Sequence, residues 1–203
     1  MLTALLLALA ADFRAVDLHG GGEVIVRHGP EARARLREGD ARYTRIGTAG
    51  GRLAIVNCPE RCPHRYRPVV EVSMPALDAL SVSDGGLIRS EGGFPGQSAV
   101  EARVDSGGAV DIRTLSAAEV TASVAQGGMI FTRPGRRLDA RIEQGGAITY
   151  WGRPAVTRSI RHGGVVQRGA DRDLDKPLAA FNPEPPPVPP PVPPVPNLFL
   201  NRR

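Results

Sequence analysis

Between residues 77 and 169 the chain repeats one pattern of apolar and polar positions. A Gly-Gly pair recurs at Gly85-Gly86, Gly107-Gly108, Gly127-Gly128, Gly145-Gly146 and Gly163-Gly164, at intervals of 22, 20, 18 and 18 residues. Val82, Val104, Val124, Ile142 and Ile160 lie three residues before the pair, and Ile88, Val110, Ile130, Ile148 and Val166 three after its first member. Upstream of the pairs apolar and polar residues alternate, as in Val100-x-Ala102-x-Val104, Val120-x-Ala122-x-Val124 and Leu138-x-Ala140-x-Ile142. A period of two puts one set inward and the other in solvent. The glycines suit a tight corner that needs a positive φ. Each repeat therefore reads strand, corner, strand. Such a unit cannot bury its apolar edge alone, so successive copies are expected to stack, with all ten Val and Ile side chains sharing one dry interior.

Helices are disfavoured, because each glycine in a helix interior costs roughly 1 kcal/mol relative to Ala and the inward set is β-branched. A propeller blade needs roughly 40 to 45 residues for four strands, about twice this repeat. The pattern predicts an all-β chain, a β-helix (β-solenoid) with five regular glycine-cornered rungs after a less regular N-terminal β part. In that earlier part Phe13, Val16 and Leu18, the glycines 20–22, then Val24 and Val26 read as a looser first coil. Residues 27–37 read as a turn with a short helix or as a strand with an arginine outer face. Short strands follow near 42–46, 53–56 and 69–72.

Flanking segments set the expected domain organisation. Residues 1–10 form an apolar run ending in Ala8-x-Ala10, the small-x-small pattern of an export signal, here short and without a basic start. Residues 11–169 form the solenoid. Residues 170–203 are charged and expected to leave the column, then Pro-rich from Pro183 to Pro196. The Pro-rich part cannot join a sheet and is expected to be a polyproline II spacer. No segment reaches the ~20 apolar residues of a membrane-spanning helix. Cys58 and Cys62 are an even pair in a chain read as exported, which favours a disulfide. Free thiols are the second reading. Metal binding with His64 is the third, although Cys-x3-Cys-x-His supplies only three ligands.

Composition then bears on chemistry. With 24 Gly and 4% aromatic residues the core is expected to be thin, and the net charge of +5 rests almost wholly on arginine, Lys176 being the lone lysine. Such a surface attracts anionic partners. Arg113, Arg133, Arg136, Arg137, Arg141, Arg158, Arg161 and Arg168 lie on or beside the rungs, and stacking brings neighbouring side chains within about 5 Å. A column of exposed arginines or a solvated face with scattered acids both fit these residues. We take Arg113, Arg133, Arg137, Arg141, Arg158, Arg161 and Trp151 as candidate binding residues. Tyr150 and Trp151 are adjacent in a strand, so one packs inward and the other offers a sugar-stacking face, unless both cover the end of the column.

Catalysis finds little to stand on. Asp105 and Glu143 share an offset, as the paired carboxylates of a glycosidase would, but Ala125 occupies that offset between them and Arg161 in the next coil. The histidines lack metal-ligand spacing, and no phosphate-binding loop or nucleophile elbow occurs. No cofactor or metal is expected.

Val-Asp-Ser-Gly-Gly-Ala-Val (104–110), Ile-Glu-Gln-Gly-Gly-Ala-Ile (142–148), and Tyr150-Trp151-Gly152-Arg153-Pro154-Ala155-Val156 carry a resemblance. With the opening Phe13-x-x-Val16-x-Leu18 and Val24-x-Val26, residues 13–169 resemble the head GIN domain family of auto-transporter adhesins. The resemblance implies a right-handed β-helix in an exported envelope protein, periplasmic or at the cell surface. Two departures stand out: the corners read x-Gly-Gly where the family has Ser-Gly-Ser-Gly, and Cys58 and Cys62 lie outside its pattern. The resulting expectation is a non-enzymatic adhesion or binding module for acidic polysaccharide or an envelope protein. Nucleic acid is not an expected partner. The competing reading is a carbohydrate-active β-helix enzyme, a hydrolase or lyase.

Overall fold

A computed structural model describes residues 12–178 of the chain. The export run and the Pro-rich segment fall outside those residues. The chain is all-β: apart from a 3-10 turn at Asp171–Asp173, the regular elements of the described residues are strands in one 14-stranded sheet. In order they are β1 (Ala15–His19), β2 (Glu23–His28), β3 (Arg33–Glu38), β4 (Thr44–Ala49), β5 (Arg52–Asn57), β6 (Val69–Met74) and β7 (Ala79–Ser83). Then follow β8 (Leu87–Ser90), β9 (Gln97–Ser106), β10 (Ala109–Gln126), β11 (Met129–Gln144), β12 (Ala147–Tyr150), β13 (Ala155–His162) and β14 (Val165–Arg168).

Two parallel ladders organise the sheet. One runs β5, β1, β7, β9, β10, β11, β13. The other runs β6, β2, β8, β10, β11, β12, β14. The long β10 and β11 serve both, with register irregularities between Ile112 and Glu119 where they pass from one ladder to the other. Each strand, corner and strand thus forms a tier lying on the previous one. At their outer edges, β4 pairs antiparallel with β5 and β3 antiparallel with β6. Residues 33–38 are therefore a strand and not a helix. The arginines at 33, 35 and 37 point to solvent, while Ala34 and Leu36 pack against the core.

The predicted inward set lines the interior. Along the first ladder Ile55, Leu18, Val82, Val104, Val124, Ile142 and Ile160 share one register column. Along the second, Val70, Val24, Ile88, Val110, Ile130, Ile148 and Val166 do the same. With the exception of Ile160 all are buried in one apolar cluster. Burying each such side chain contributes roughly 1.5–3 kcal/mol. Ile160, expected inside, is 41% exposed. It keeps the inward register position, but among the described residues no strand lies beyond β13 to cover it.

The glycine pairs do two different jobs. The first glycine of the pair at Gly127-Gly128 faces open space, whereas a Cβ on the second would lie 2.5 Å from a Val104 methyl and 2.9 Å from the Gly108 carbonyl oxygen. Both have positive φ. Close approach of corner to corner lets the Met129 N–H donate to the Gly108 oxygen at 3.0 Å, and the Gly127 N–H to the Gln144 oxygen at 3.0 Å. The same pattern repeats from pair to pair, so the corners form a hydrogen-bonded spine.

At the start of the stack Cys58 and Cys62 form a disulfide, in the segment joining β5 to β6 where other tiers have a glycine corner. A partly buried polar chain anchors this segment. The Asp40 N–H donates to the Tyr66 hydroxyl (2.8 Å), which contacts the Thr44 hydroxyl (2.8 Å). Thr44 donates to Asn57 Oδ1 (2.9 Å), and the Asn57 amide donates to the Gly21 oxygen (2.6 Å). On the outer face Asp17 accepts hydrogen bonds from Arg52 on β5 and Ser81 on β7, tying three strands together. Burial alone would push the Asp17 carboxyl up, but those bonds and the Arg52 charge outweigh it and hold it below its ordinary 3.8.

Candidate binding surface

The candidate arginines divide into those the fold consumes and those it leaves open. Arg113 is consumed. Its guanidinium bonds Asp111 (2.7 Å), donates to the carbonyls of Leu174 (2.7 Å) and Lys176 (2.9 Å), and stands over the rings of Phe131 and Trp151. Trp151 is 1% exposed, and its indole N–H donates to the Ala170 oxygen at 3.0 Å. The expectation that Arg113 and Trp151 offer a binding face is therefore corrected: residues 169–176 fold back over them instead of leaving the column. Gly169 permits this, because a Cβ there would run into the Trp151 ring. Phe131 holds an outward register position and Trp151, just past β12, lies against it with ring centroids 6.4 Å apart, so this strap covers an aromatic pair outside the main core.

Arg141 is exposed and paired with Asp139 at 2.8 Å. Arg133, Arg137, Arg158 and Arg161 are exposed and make no ion pair among the described residues. They do not gather in one row. Arg133 lies at the corner within β11, Arg137 in the register position between Glu119 and Ala155, and Arg161 near the end of β13. Arg158 occupies the column of Leu53, Val16, Leu80, Ala102, Ala122 and Ala140, an inward position.

Arg133 does join a residue that the sequence reading left aside. The corners at 113–117, 133–135 and 152–153 line an open groove of about 460 Å³, edged by Arg113, Thr114, Ser116, Arg133, Gly152 and Arg153. Arg153 is exposed and, like Arg133, outside any ion pair among the described residues. The neighbouring carboxylates are engaged: Asp111 holds Arg113, and Glu119 contacts Arg136 at 3.3 Å. Arg153 was visible in the sequence only as part of a Gly-Arg-Pro turn. A larger cleft, about 670 Å³, lies between the disulfide segment and the glycines at 21–22 and 86. Arg65 and Arg67 line it; Arg61 and His64 belong to the same exposed segment.

The carboxylates do not form a hydrolytic pair. Asp105 is bonded to Arg103 at 2.9 Å, and a whole strand, carrying Ala125, separates it from Glu143. Two strand spacings amount to about 10 Å. Among the described residues no group of three or more His, Cys, Asp or Glu could hold a metal ion, and no helix is long and apolar enough to cross a membrane.

Stacked parallel tiers with glycine corners and an arginine-edged groove define an all-β protein of repeated strand-corner-strand units. Residues 96–154 match the family described as "Putative auto-transporter adhesin, head GIN domain", the family whose resemblance the rungs carry. A "putative adhesin" of Bacteroides fragilis is similar in structure at 14% identity and a TM-score of 0.44, over 78% of this chain and 92% of that one. A "putative lipid binding protein" of Parabacteroides distasonis aligns at 14% identity and 0.32, over 79% and 94%. A "putative cell adhesion protein" of Clostridium sporogenes aligns at 8% and 0.34, over 78% and 93%. No curated protein matches the chain.

Proposed function

We propose that this chain is a non-enzymatic binding module of the cell envelope or cell surface that recognises acidic polysaccharide through the arginines of its outer corners. The observation that carries the reading is the groove at residues 113–153, where Arg133 and Arg153 stand exposed and without ion-pair partners among the described residues, with Arg137 two residues beyond the groove. Unpaired, solvated guanidinium groups present bidentate donors to carboxylate or sulfate. The adhesin family matched by residues 96–154 points the same way.

The proposed architecture is a right-handed β-helix over residues 11–169, preceded by an export signal at 1–10 and followed by a segment of which residues 170–176 dock back on the stack and the Pro-rich remainder forms a tail. Its support is the pair of parallel ladders joined at glycine corners. Export to the periplasm or cell surface is supported by the Cys58–Cys62 disulfide, since such bonds persist in oxidising compartments.

The test is binding of alginate and heparin, with neutral dextran as control, across a salt series. The wild type should bind the acidic glycans and release them as salt rises. A double charge reversal, Arg133→Glu with Arg153→Glu, should abolish this while melting unchanged. Equal binding by the double variant would overturn the groove reading, an envelope protein partner then taking its place. New reducing ends or unsaturated products on incubation would make the protein an enzyme.

A further inference from the structure

The two ladders end differently from how they begin. β13 pairs only with β11 and β14 only with β12, so among the described residues the far edges of both are bare. The exposed large apolar side chains of the described residues, Ile160 and Val165 at 41% and 49%, both lie on this last tier. A bare edge beside apolar side chains is a template for any added strand, including a second copy of the chain.

Arg158 changes what that edge accepts. In the six tiers beneath it the same column holds Leu53, Val16, Leu80, Ala102, Ala122 and Ala140, all apolar. The second ladder also ends in a charge: Ile112, Thr132 and Tyr150, a column of uncharged residues, are followed in register by Arg168. An inward-pointing charge on an edge strand guards against self-pairing. Two copies meeting through this end would bring their Arg158 and Arg168 groups together, with Arg161 and His162 nearby, and like charges facing across a strand pair repel. Among the described acids, Asp171 is the carboxylate that contacts this cluster, 3.5 Å from Arg168. The chain's own C-terminal stretch is no better suited, since its one acid from residue 179 onward, Glu184, stands between Pro183 and Pro185.

We infer that the C-terminal end of the stack is a strand-addition site for an extended segment of another protein with an acidic residue between two aliphatic ones, spaced aliphatic-x-acid-x-aliphatic. The two aliphatics cover Val156 and Ile160, the acid meets Arg158, and the backbone completes the bare edge of β13. This surface is separate from the arginine-edged groove.

A capped, fluorescein-labelled peptide Thr-Val-Thr-Glu-Thr-Val-Thr tests it, with Lys replacing Glu in the control; the palindrome fits either strand direction. Anisotropy with the full disulfide-bonded chain should show the Glu peptide binding at least about tenfold more tightly than the Lys peptide. Arg158→Glu should reverse that preference without altering the melting temperature, because position 158 is already exposed. Arg158→Ala, which restores the residue of the three preceding tiers, should make the chain self-associate in sedimentation runs. The Arg133→Glu, Arg153→Glu variant should bind the Glu peptide as the wild type does, so that the two surfaces stand or fall separately. Failure of the Glu peptide to bind, equal binding of both peptides, or an unchanged preference in Arg158→Glu would each overturn the inference.

Discussion

The first and last tiers of this molecule meet the same problem with opposite outcomes. At the first, the chain reverses and lays β4 and β3 antiparallel along β5 and β6, so both ladder edges are paired. The segment joining β5 to β6 is then secured by a disulfide and by the buried Thr44–Asn57 pair. At the last tier neither edge is covered among the described residues, and two arginines stand where uncharged side chains would continue the columns. The difference teaches that burial here is a property of the neighbouring tier, not of the residue. Ile142 and Ile160 hold the same offset from their glycines and the same register column, yet one is 1% and the other 41% exposed.

The sharpest way to break this comparison is to place one charge at both positions. Ile142→Asp should unfold the stack, a loss of at least 4 kcal/mol from an unpaired charge in a dry interior. Ile160→Asp should cost under about 1 kcal/mol. Thermal melts followed by circular dichroism decide it, and similar melting of the two variants would show that the last tier is covered after all.

At the covered end, Asn57→Ala removes the acceptor of the Thr44 hydroxyl, which keeps its contact with Tyr66, and leaves the Gly21 oxygen without its side-chain donor. It should destabilise by about 1–3 kcal/mol. Hydrogen exchange should speed up first in β1, β4 and β5. At the open end, Gly169→Ala drives a methyl into the Trp151 ring and should release the strap at a cost of about 1–3 kcal/mol, the range of overpacking. Its signature is a red-shifted tryptophan emission, with the glycine-cornered tiers unaffected.

The smallest expected effect is that of Asp17→Asn, about 1–2 kcal/mol from weakened charged hydrogen bonds. Because the Asp17 carboxyl is held below 3.8 in the folded state, its contribution is full above that value. It fades as pH falls through the depressed value. The gap in stability between wild type and Asp17→Asn should therefore be constant at neutral pH and close only in strong acid. A gap that closed above pH 3.8 would contradict the Asp17–Arg52 coupling.

The regular tiers were legible because their information is local: a corner that requires glycine and aliphatics at fixed distances from it define both strands and the side they bury. Nothing local announces that residues 52–74 settle on the far side of 15–28, because the register between strands distant in sequence leaves no periodic trace. The candidate site fared likewise. Alternation led to the expectation that one of Tyr150 and Trp151 is exposed, but Trp151 is covered by residues 169–176, a charged stretch with no apolar pattern to betray that it docks. Arg113 looked like a solvated rung arginine because its carbonyl partners lie some sixty residues away, in that same stretch. Arg158 reads as one more surface cation until its column is traced back through Ala140, Ala122 and Ala102.

The position of β1 also sets how the molecule resists tension. Although it is the first strand of the described residues, it lies between β5 and β7 and is held by hydrogen bonds on both flanks. A load applied to β1 must shear both of its strand pairings together. The same load at the carboxyl end first detaches residues 169–176, then peels β14 away from a single neighbour, so the protein is mechanically polar and yields from its C-terminal side.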